Sequence, residues 1–458
     1  MDFLFNPRSV AVVGASNKEG KIGYEIMNSL IASRDRIKIY PVNPNEREIF
    51  SLKSYPNVSS IPESVDLMVI SLQAQNIPDV IEEGAVKGVK GAIIISGGFG
   101  ELGDEGKLLE KRISEISDRY GIRVVGPNCI GVFSSRSKFD TFFQARDAMK
   151  RPGDGPVAFM TQSGTYGVTL LELMEKHHIG VSKFISFGNK VDINEIDMLE
   201  YFMSDNDTKI ISGYLESFRD GRKFFEMSRE VSLEKPVIIL KAGKTREGQI
   251  AAKSHTGALA ENYSVYEGAM KQSGVITVDD IEDMVDIIKI LAKQPLPSGG
   301  KILMITNGAG PCVVTADEIG RSRKLKLANL DDDEKEEIKK ILPDFAIVSN
   351  PLDLTGSATP EWYMDVMEKI KNSKNVDIFV LYFVIPNAPI YRNIHKLYEL
   401  FSKNWNRPVI AVMSGGSFTE DVSDNLEKMN IPVITTARRL VNALEKIVEY
   451  SEWKSNSH

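Results

Sequence analysis

Five histidines occur in the chain, and one of them, His255, has a setting that suits chemistry. It lies in Ser254-His-Thr-Gly257, within a stretch rich in small residues that runs from Lys244 to Ala260. His177 and His178 precede Ile179-Gly180 and read as caps at a helix end, His395 falls on a polar helix, and His458 is terminal. No second His, Cys or acidic cluster stands at metal-ligand spacing around His255, so a zinc site is not expected. An imidazole can instead be a nucleophile that carries a phosphoryl group. Such a ring needs a group holding its other nitrogen. Glu216 closes the apolar run Ile210 to Glu216, at the sheet edge where that support is needed.

A phosphoryl carrier needs an anion site, and two turns offer one. Thr161-Gln-Ser-Gly-Thr165 and Thr306-Asn-Gly-Ala-Gly-Pro311 each follow an apolar run and open a helical stretch. Small residues let backbone N–H groups approach an anion, and a helix start attracts negative charge without any Lys or Arg. Gln162, Ser163, Gly164 and Thr165 in the first turn, with Ala309 and Gly310 in the second, are therefore candidate phosphate ligands. Either turn alone would pass for an ordinary strand-to-helix connection.

A third turn opens the chain: Val13-Gly-Ala-Ser-Asn-Lys-Glu-Gly-Lys-Ile-Gly23. Its glycines lack the GxGxxG spacing, and the next strand ends in Pro41-Val-Asn-Pro-Asn45 rather than in Asp or Glu. An NAD site uses a carboxylate there to accept from the ribose 2′-OH. The neutral Asn43 suits a phosphorylated ribose better, which favours coenzyme A over NAD.

The elements that must position these residues follow from the pattern. Val10–Val13, Lys38–Val42, Leu67–Ser71, Ala92–Ser96 and Arg123–Gly126 read as buried strands, with helical stretches such as Ile22–Ala32 and Lys107–Tyr120 between them. Near-continuous apolar strands alternating with helices predict parallel sheets covered on both faces. Asp147 to Pro156 and Gln294 to Gly300 break the rhythm and read as linkers, giving domains at 1–147, 148–295 and 296–458. The second and third domains repeat one another in order: Val157–Thr165 matches Ile302–Gly310, Val191–Ile193 matches Leu352–Leu354, Lys235–Gly243 matches Arg407–Gly415, and Val275–Val278 matches Val433–Thr436. Such internal repetition indicates duplication of one flavodoxin-like unit. The copies differ by about 14 residues, inserted in the second domain within Lys244–Ala260. That insertion shows no clear helical period and reads as a mobile loop carrying His255. The sister domain lacks it, so the fold does not require it.

Composition narrows the class. At 458 residues, about three domains are expected. A net charge of −7 argues against a protein held to nucleic acid by backbone attraction. Two cysteines are too few for a disulfide framework, and no run of about 18 uncharged apolar residues could span a membrane. The first apolar run is too short for a signal peptide. A cytoplasmic, multidomain protein is expected.

Taken together, Gly14-Ala-Ser16, Pro41-Val-Asn-Pro44, Gly126-Pro-Asn128, Gln162-Ser-Gly164, Ser254-His-Thr-Gly257 and Asn350-Pro-Leu-Asp-Leu-Thr-Gly356 resemble the alpha subunit of ADP-forming acetyl-CoA synthetases (acetate–CoA ligases), relatives of succinyl-CoA synthetase. The resemblance runs over almost the whole chain. It implies an N-terminal Rossmann-like CoA-binding domain followed by two flavodoxin-like, doubly wound parallel-sheet domains. It implies that acyl-CoA and phosphate give acyl phosphate and CoA, and that the phosphoryl group then passes to the histidine matching His255, supported by the glutamate matching Glu216. It further implies delivery to ADP, with Mg²⁺, on an ATP-grasp beta subunit in an α₂β₂ assembly, and hence substrate-level ATP synthesis. Carried across position by position, CoA would lie along Gly14, Ser16, Asn17, Gly20, Lys21, Asn43, Ser71 and Ser96-Gly97, with Asn128 near the thioester. Phosphate would meet Ser163–Thr165 and Ala309-Gly310. Relatives often carry Lys where this chain has Asn45, leaving Lys18, Lys21 and Arg47 as candidate cations for the CoA phosphate. Cys129, next to Asn128, reads as a small buried side chain. Two other readings compete with the enzyme: a CoA-sensing scaffold, against which His255, Glu216 and both turns argue, and an NAD-dependent oxidoreductase, against which the missing acidic residue argues.

Overall fold

The computed structural model describes residues 1–256, 263–403 and 405–457, and for 252–256 the backbone. The side chain of His255, the end of the insertion from Gly257 to Ala260, and His458 lie outside the described residues. The chain divides into two compact units, Met1–Val278 and Asp279–His458.

The first unit holds two sheets. Strands β1 (Ser9–Val13), β2 (Lys38–Val42), β5 (Leu67–Ile70), β6 (Gly91–Ile94) and β7 (Arg123–Val125) form a parallel sheet in the order β2-β1-β5-β6-β7, while β3 (Glu48–Ile49) and β4 (Leu52–Lys53) make a small hairpin beside it. β1, β5 and β6 are buried at every position, as expected of strands covered on both faces. Helices α1 (Ile22–Ile31), α2 (Ile77–Val86) and α3 (Asp104–Tyr120) supply the covering. The second sheet takes in β8 (Val132–Ser134) and β9 (Phe139–Asp140), then β10 (Val157–Thr161), β11 (Val181–Ser186), β12 (Ile210–Leu215), β13 (Val237–Lys241) and β14 (Ile276–Val278), in the order β14-β13-β12-β10-β11-β8-β9. The first sheet thus ends at Val125, and β8 and β9 pair antiparallel at the edge of the second. Helices α4 (Gly164–Lys176), α5 (Glu195–Ser204), α6 (Gly221–Glu234), α7 (Arg246–Thr256) and α8 (Tyr263–Gln272) connect its strands.

A continuous core joins the two sheets, from Leu4, Val10 and Ile93 to Met160, Ile185 and Phe202. The linker around 147–156 is pinned rather than loose. Arg151 donates to the buried Asp140 carboxylate at 3.0 Å and to the carbonyls of Met149 and Gln144. Burial pushes the Asp140 pKa up, opposed by Arg151 and Arg146.

The second unit repeats the doubly wound pattern. β15 (Lys301–Thr306), β16 (Lys326–Leu327), β18 (Ile378–Tyr382), β19 (Val409–Val412) and β20 (Val433–Ile434) run in the order β16-β15-β18-β19-β20, and β17 (Leu352–Asp353) pairs with β15. Helices α9 (Ile281–Lys293), α10 (Gly310–Arg321), α11 (Asp332–Lys339), α12 (Pro360–Ile370), α13 (Ala388–Arg392), α14 (Ile394–Ser402), α15 (Ser417–Lys428) and α16 (Ala437–Asn456) cover it. Within this unit Lys289 pairs with Glu427 at 2.6 Å, and Arg439 forks onto the buried Asp286.

One expectation changes. The insertion is not irregular along its length: Arg246–Thr256 is helical, so the backbone of His255 sits in the last turn of α7. Glu247, Gln249, Ala251, Ala252 and Lys253 are good helix formers, and their propensity outweighs the weak apolar period that argued for a loop.

Candidate functional site

The first cluster gathers at the carboxyl ends of the first sheet. Gly14 directly follows β1, with φ +90°, and a Cβ there would stand 2.2 Å from the Ser71 carbonyl oxygen. Only glycine allows the turn after β1 to lie so close to the residue following β5. Gly23, at the start of α1, is pressed against the Gly14 carbonyl in the same way. Asn43 donates to the Ala15 carbonyl at 2.8 Å and accepts from the Asn45 N–H, so its side chain braces the β1 and β2 turns to each other. Asn17 is similarly engaged: it donates to Glu46 and to the Glu48 carbonyl and accepts from Phe50 N–H, tying the turn to the β3–β4 hairpin. Ser16 is buried and accepts from Lys18 N–H. Gly20, Lys18, Lys21 and Arg47 are exposed. Ser71 and Ser96-Gly97 follow β5 and β6, and the Asn128 N–H donates to the Ser96 carbonyl at 2.9 Å. The structure therefore brings Gly14, Ser16, Asn17, Asn43, Ser71, Ser96, Gly97 and Asn128 to one sheet edge, across its switch point between β1 and β5, where ligands bind in open parallel sheets.

Asn128 also belongs to a second cluster. It has φ +59° and lines a cavity of about 500 Å³ with Cys129, Gln162, Ser163, Gly164, Thr165 and Asn189. Thr161 Oγ1 accepts the Ser163 N–H and donates to the Ser163 carbonyl, fixing the turn out of β10. Ser163 caps α4 by accepting from Tyr166 N–H. The first N–H groups of a helix have no carbonyl partner within it, and Gly164 and Thr165, which open α4, line the cavity. Gly167, Leu170, Leu171 and Met174 are buried, and this i, i+3, i+4, i+7 stripe seats α4 on the sheet.

Gln162 does something its type alone did not disclose. Its Oε1 accepts from the backbone N–H of Glu216 at 2.6 Å and of Ser217 at 2.9 Å, and its Nε2 donates to Ser217 Oγ. The turn after β10 and the Glu216 loop are thereby locked together. Glu216 is buried, and the Tyr214 hydroxyl donates to its carboxylate at 3.3 Å. Burial, then the Glu216 charge, raise the Tyr214 pKa and keep the phenol protonated. Beneath the loop, Lys190 Nζ bridges Glu195 and the Ser217 carbonyl, both at 2.8 Å.

Sequence reasoning passed over Glu101 and Asn189. Glu101 accepts from Gly98 and Phe99 N–H, and Asn189 donates to both Glu101 and Glu110 at 2.7 Å. Burial raises the Glu101 pKa, but these donors prevail and hold it below the usual carboxylate range. The result is a tie between the first sheet's Ser96–Phe99 turn and the cavity. Helix α7 lies against Gly100–Leu102. Cys129 is buried with its thiol pushed up to about 12, as its reading as a small core side chain requires.

In the second unit the turn after β15 repeats the threonine bracing of the turn after β10. Thr306 Oγ1 accepts from Gly308 N–H and donates to its carbonyl, both at 2.9 Å, and Asn307 accepts from Val384 N–H as Gln162 does from Glu216. Ala309 and Gly310 open α10 there, without a side-chain cap.

Three family models place this architecture in the succinyl-CoA ligase class: a CoA binding domain over 8–135, a succinyl-CoA ligase like flavodoxin domain over 154–291, and a ligase-CoA domain over 302–450. The chain is 39% identical to the alpha subunit of acetate–CoA ligase [ADP-forming] II of Pyrococcus furiosus, across 99% of this chain and 98% of that one. It is also 39% identical to acetate–CoA ligase [ADP-forming] of Methanocaldococcus jannaschii, across 99% of this chain and 64% of that one. Its fold matches the dinucleotide-forming acetyl-coenzyme A synthetase 1 of Candidatus Korarchaeum cryptofilum, solved with phosphate and ADP, at a TM-score of 0.90, 34% identity and coverage of 99% and 97%. The chain belongs to the ADP-forming acetate–CoA ligases and corresponds to their alpha subunit; it is an acid–thiol ligase. Among the described residues, no helix is long and apolar enough to cross a membrane.

Proposed function

We propose that this chain converts acyl-CoA and phosphate to acyl phosphate and CoA, and then carries the phosphoryl group on His255 toward ADP. The observation that carries the reading is the shared cavity: Asn128, from the CoA edge of the first sheet, faces the same space as the helix start Ser163–Thr165. A phosphate oxygen attacks the thioester carbonyl carbon, the C–S bond breaks, and CoA leaves as the thiol after taking up a proton. The N–H groups of Gly164 and Thr165 hold the phosphate oxygens, and Ala309-Gly310 offers an equivalent helix start on the second unit. A ring nitrogen of His255 then attacks phosphorus, and the acid leaves as its carboxylate. Glu216 holds the opposite ring N–H, which favours the nucleophilic tautomer and the cationic phosphoimidazole. Phosphoryl transfer depends chiefly on positioning and charge stabilisation. That is what the locked Gln162–Glu216 pair provides.

The domain division at 1–147, 148–295 and 296–458 belongs to the same reading, as does CoA binding along Gly14, Ser16, Asn17, Gly20, Lys21, Asn43, Ser71, Ser96 and Gly97. An ATP-grasp beta subunit holding ADP with Mg²⁺ completes the reaction in an α₂β₂ assembly in the cytoplasm. Alpha-subunit relatives and longer relatives such as that of M. jannaschii support the separate partner. The test is incubation of the full chain with acetyl-CoA and radiolabelled phosphate. An acid-labile, base-stable label is expected on the wild type and not on H255A, which still binds CoA. Normal labelling of H255A refutes the assignment.

A further inference from the structure

The duplication supplies an internal control for deciding which side chains the fold needs and which the chemistry needs. Strand registers align the copies without ambiguity. Thr161 pairs with Tyr214 as Thr306 pairs with Tyr382, and Leu215 pairs with Lys241 on the next strand. In the sister sheet Tyr382 pairs with Val412, one residue before the position that matches Lys241. Glu216 thus corresponds to Val384 and Lys241 to Met413. Two adjacent strand ends carry opposite charges in one copy and apolar side chains in the other.

A buried lysine is costly unless the chain gives it partners, and Lys241 is only 5% exposed. Its ammonium donates to the Glu216 carbonyl and to the Ala242 carbonyl, both at 2.7 Å. It also lies 5.9 Å from the Phe218 ring centroid and 5.8 Å from that of Tyr266. Phe218 belongs to the Glu216 loop and stacks on Tyr266, which is on α8. The histidine-bearing insertion departs just after Lys241 and returns into α8. One cation therefore ties together the Glu216 backbone, the exit of the insertion and its return.

We propose that Lys241 is a positioning residue for the phosphoryl-transfer step: it sets Glu216 and both ends of the His255 segment in register. This rests on the functional reading above. The fold itself accepts a flexible apolar side chain here, as Met413 shows, so Lys241→Met keeps the sheet while removing the tie.

The test compares wild type, K241M, E216Q and the double variant as full chains. In K241M the rate of histidine phosphorylation is expected to fall by about 10²-fold, the size of loss that small misplacement causes, with the KM for acetyl-CoA unchanged. The double variant should be no slower than E216Q, because residues acting as a unit are not additive. Amide exchange at Glu216, Ser217 and Phe218 should quicken in K241M whether or not the chain is active. Wild-type labelling by K241M, multiplying losses in the double variant, unaltered exchange, or a loss that merely follows a lowered melting temperature would each overturn the assignment. Absence of label on the wild type would instead overturn the functional reading, with the exchange comparison still deciding the role of Lys241.

Discussion

Burial decides what individual reactive groups in this chain can do. Cys129 and Cys312 are both buried, and burial pushes each thiol up to about 12. Only the thiolate reacts, so a thiol reagent at pH 8 should label neither in the native chain and both after denaturation; a fast-labelling native Cys129 would give it a chemical role beside Asn128. The same scale separates what sequence can propose from what it cannot. His255 and Glu216 stand out as candidates because one sits in an insertion the duplicate lacks and the other follows a strand end. Gln162 was legible only as part of a small-residue turn, whereas its side chain in fact locks the Glu216 backbone. Asn17 and Asn43 stand in the expected cluster but spend their side chains on neighbouring turns. Hydrogen-bond partners far apart in sequence are chosen by the fold, and no local pattern records them.

Elements were read more completely than residues. Apolar runs placed β1 and β2 to within a residue, since strands buried on both faces leave an unmistakable signature. α7 was missed because a short helix of good formers has little amphipathic period to detect. β8 and β9 were missed because two or three residues carry no period at all. The glycine turn after β1 makes a prediction at this scale. Gly14→Ala adds a side chain at φ +90° and 2.2 Å from a backbone oxygen. It should cost on the order of 2 kcal/mol or more in urea unfolding, and weaken CoA binding by distorting the turn. Gly20→Ala is the control: its φ is +79°, but nothing lies within 4 Å of the added atom. It should cost about 1 kcal/mol, from backbone strain alone. Equal costs for the two would mean that close packing on Ser71 does not hold the turn.

For the whole molecule, the division of labour makes the remaining prediction. Supplied with acetyl-CoA, phosphate, ADP and Mg²⁺, the purified chain should take up at most about one phosphoryl group per His255 and release a matching amount of CoA. Adding an ATP-grasp subunit of the same family should convert this to steady ATP formation. Continuous ATP synthesis by the chain alone would remove the need for a partner. The amino-acid sequence by itself determined the class of fold, the tandem duplication, the insertion that holds His255 and the small-residue turns that open α4 and α10. These are local or periodic properties, and chain order preserves them. Only the tertiary structure decided that Asn128 shares a cavity with Ser163–Thr165, that Gln162 holds Glu216, and that Lys241 faces Glu216 where its twin position holds Met413. Strand order and register make neighbours of residues far apart along the chain, and that adjacency exists only once the sheets are assembled.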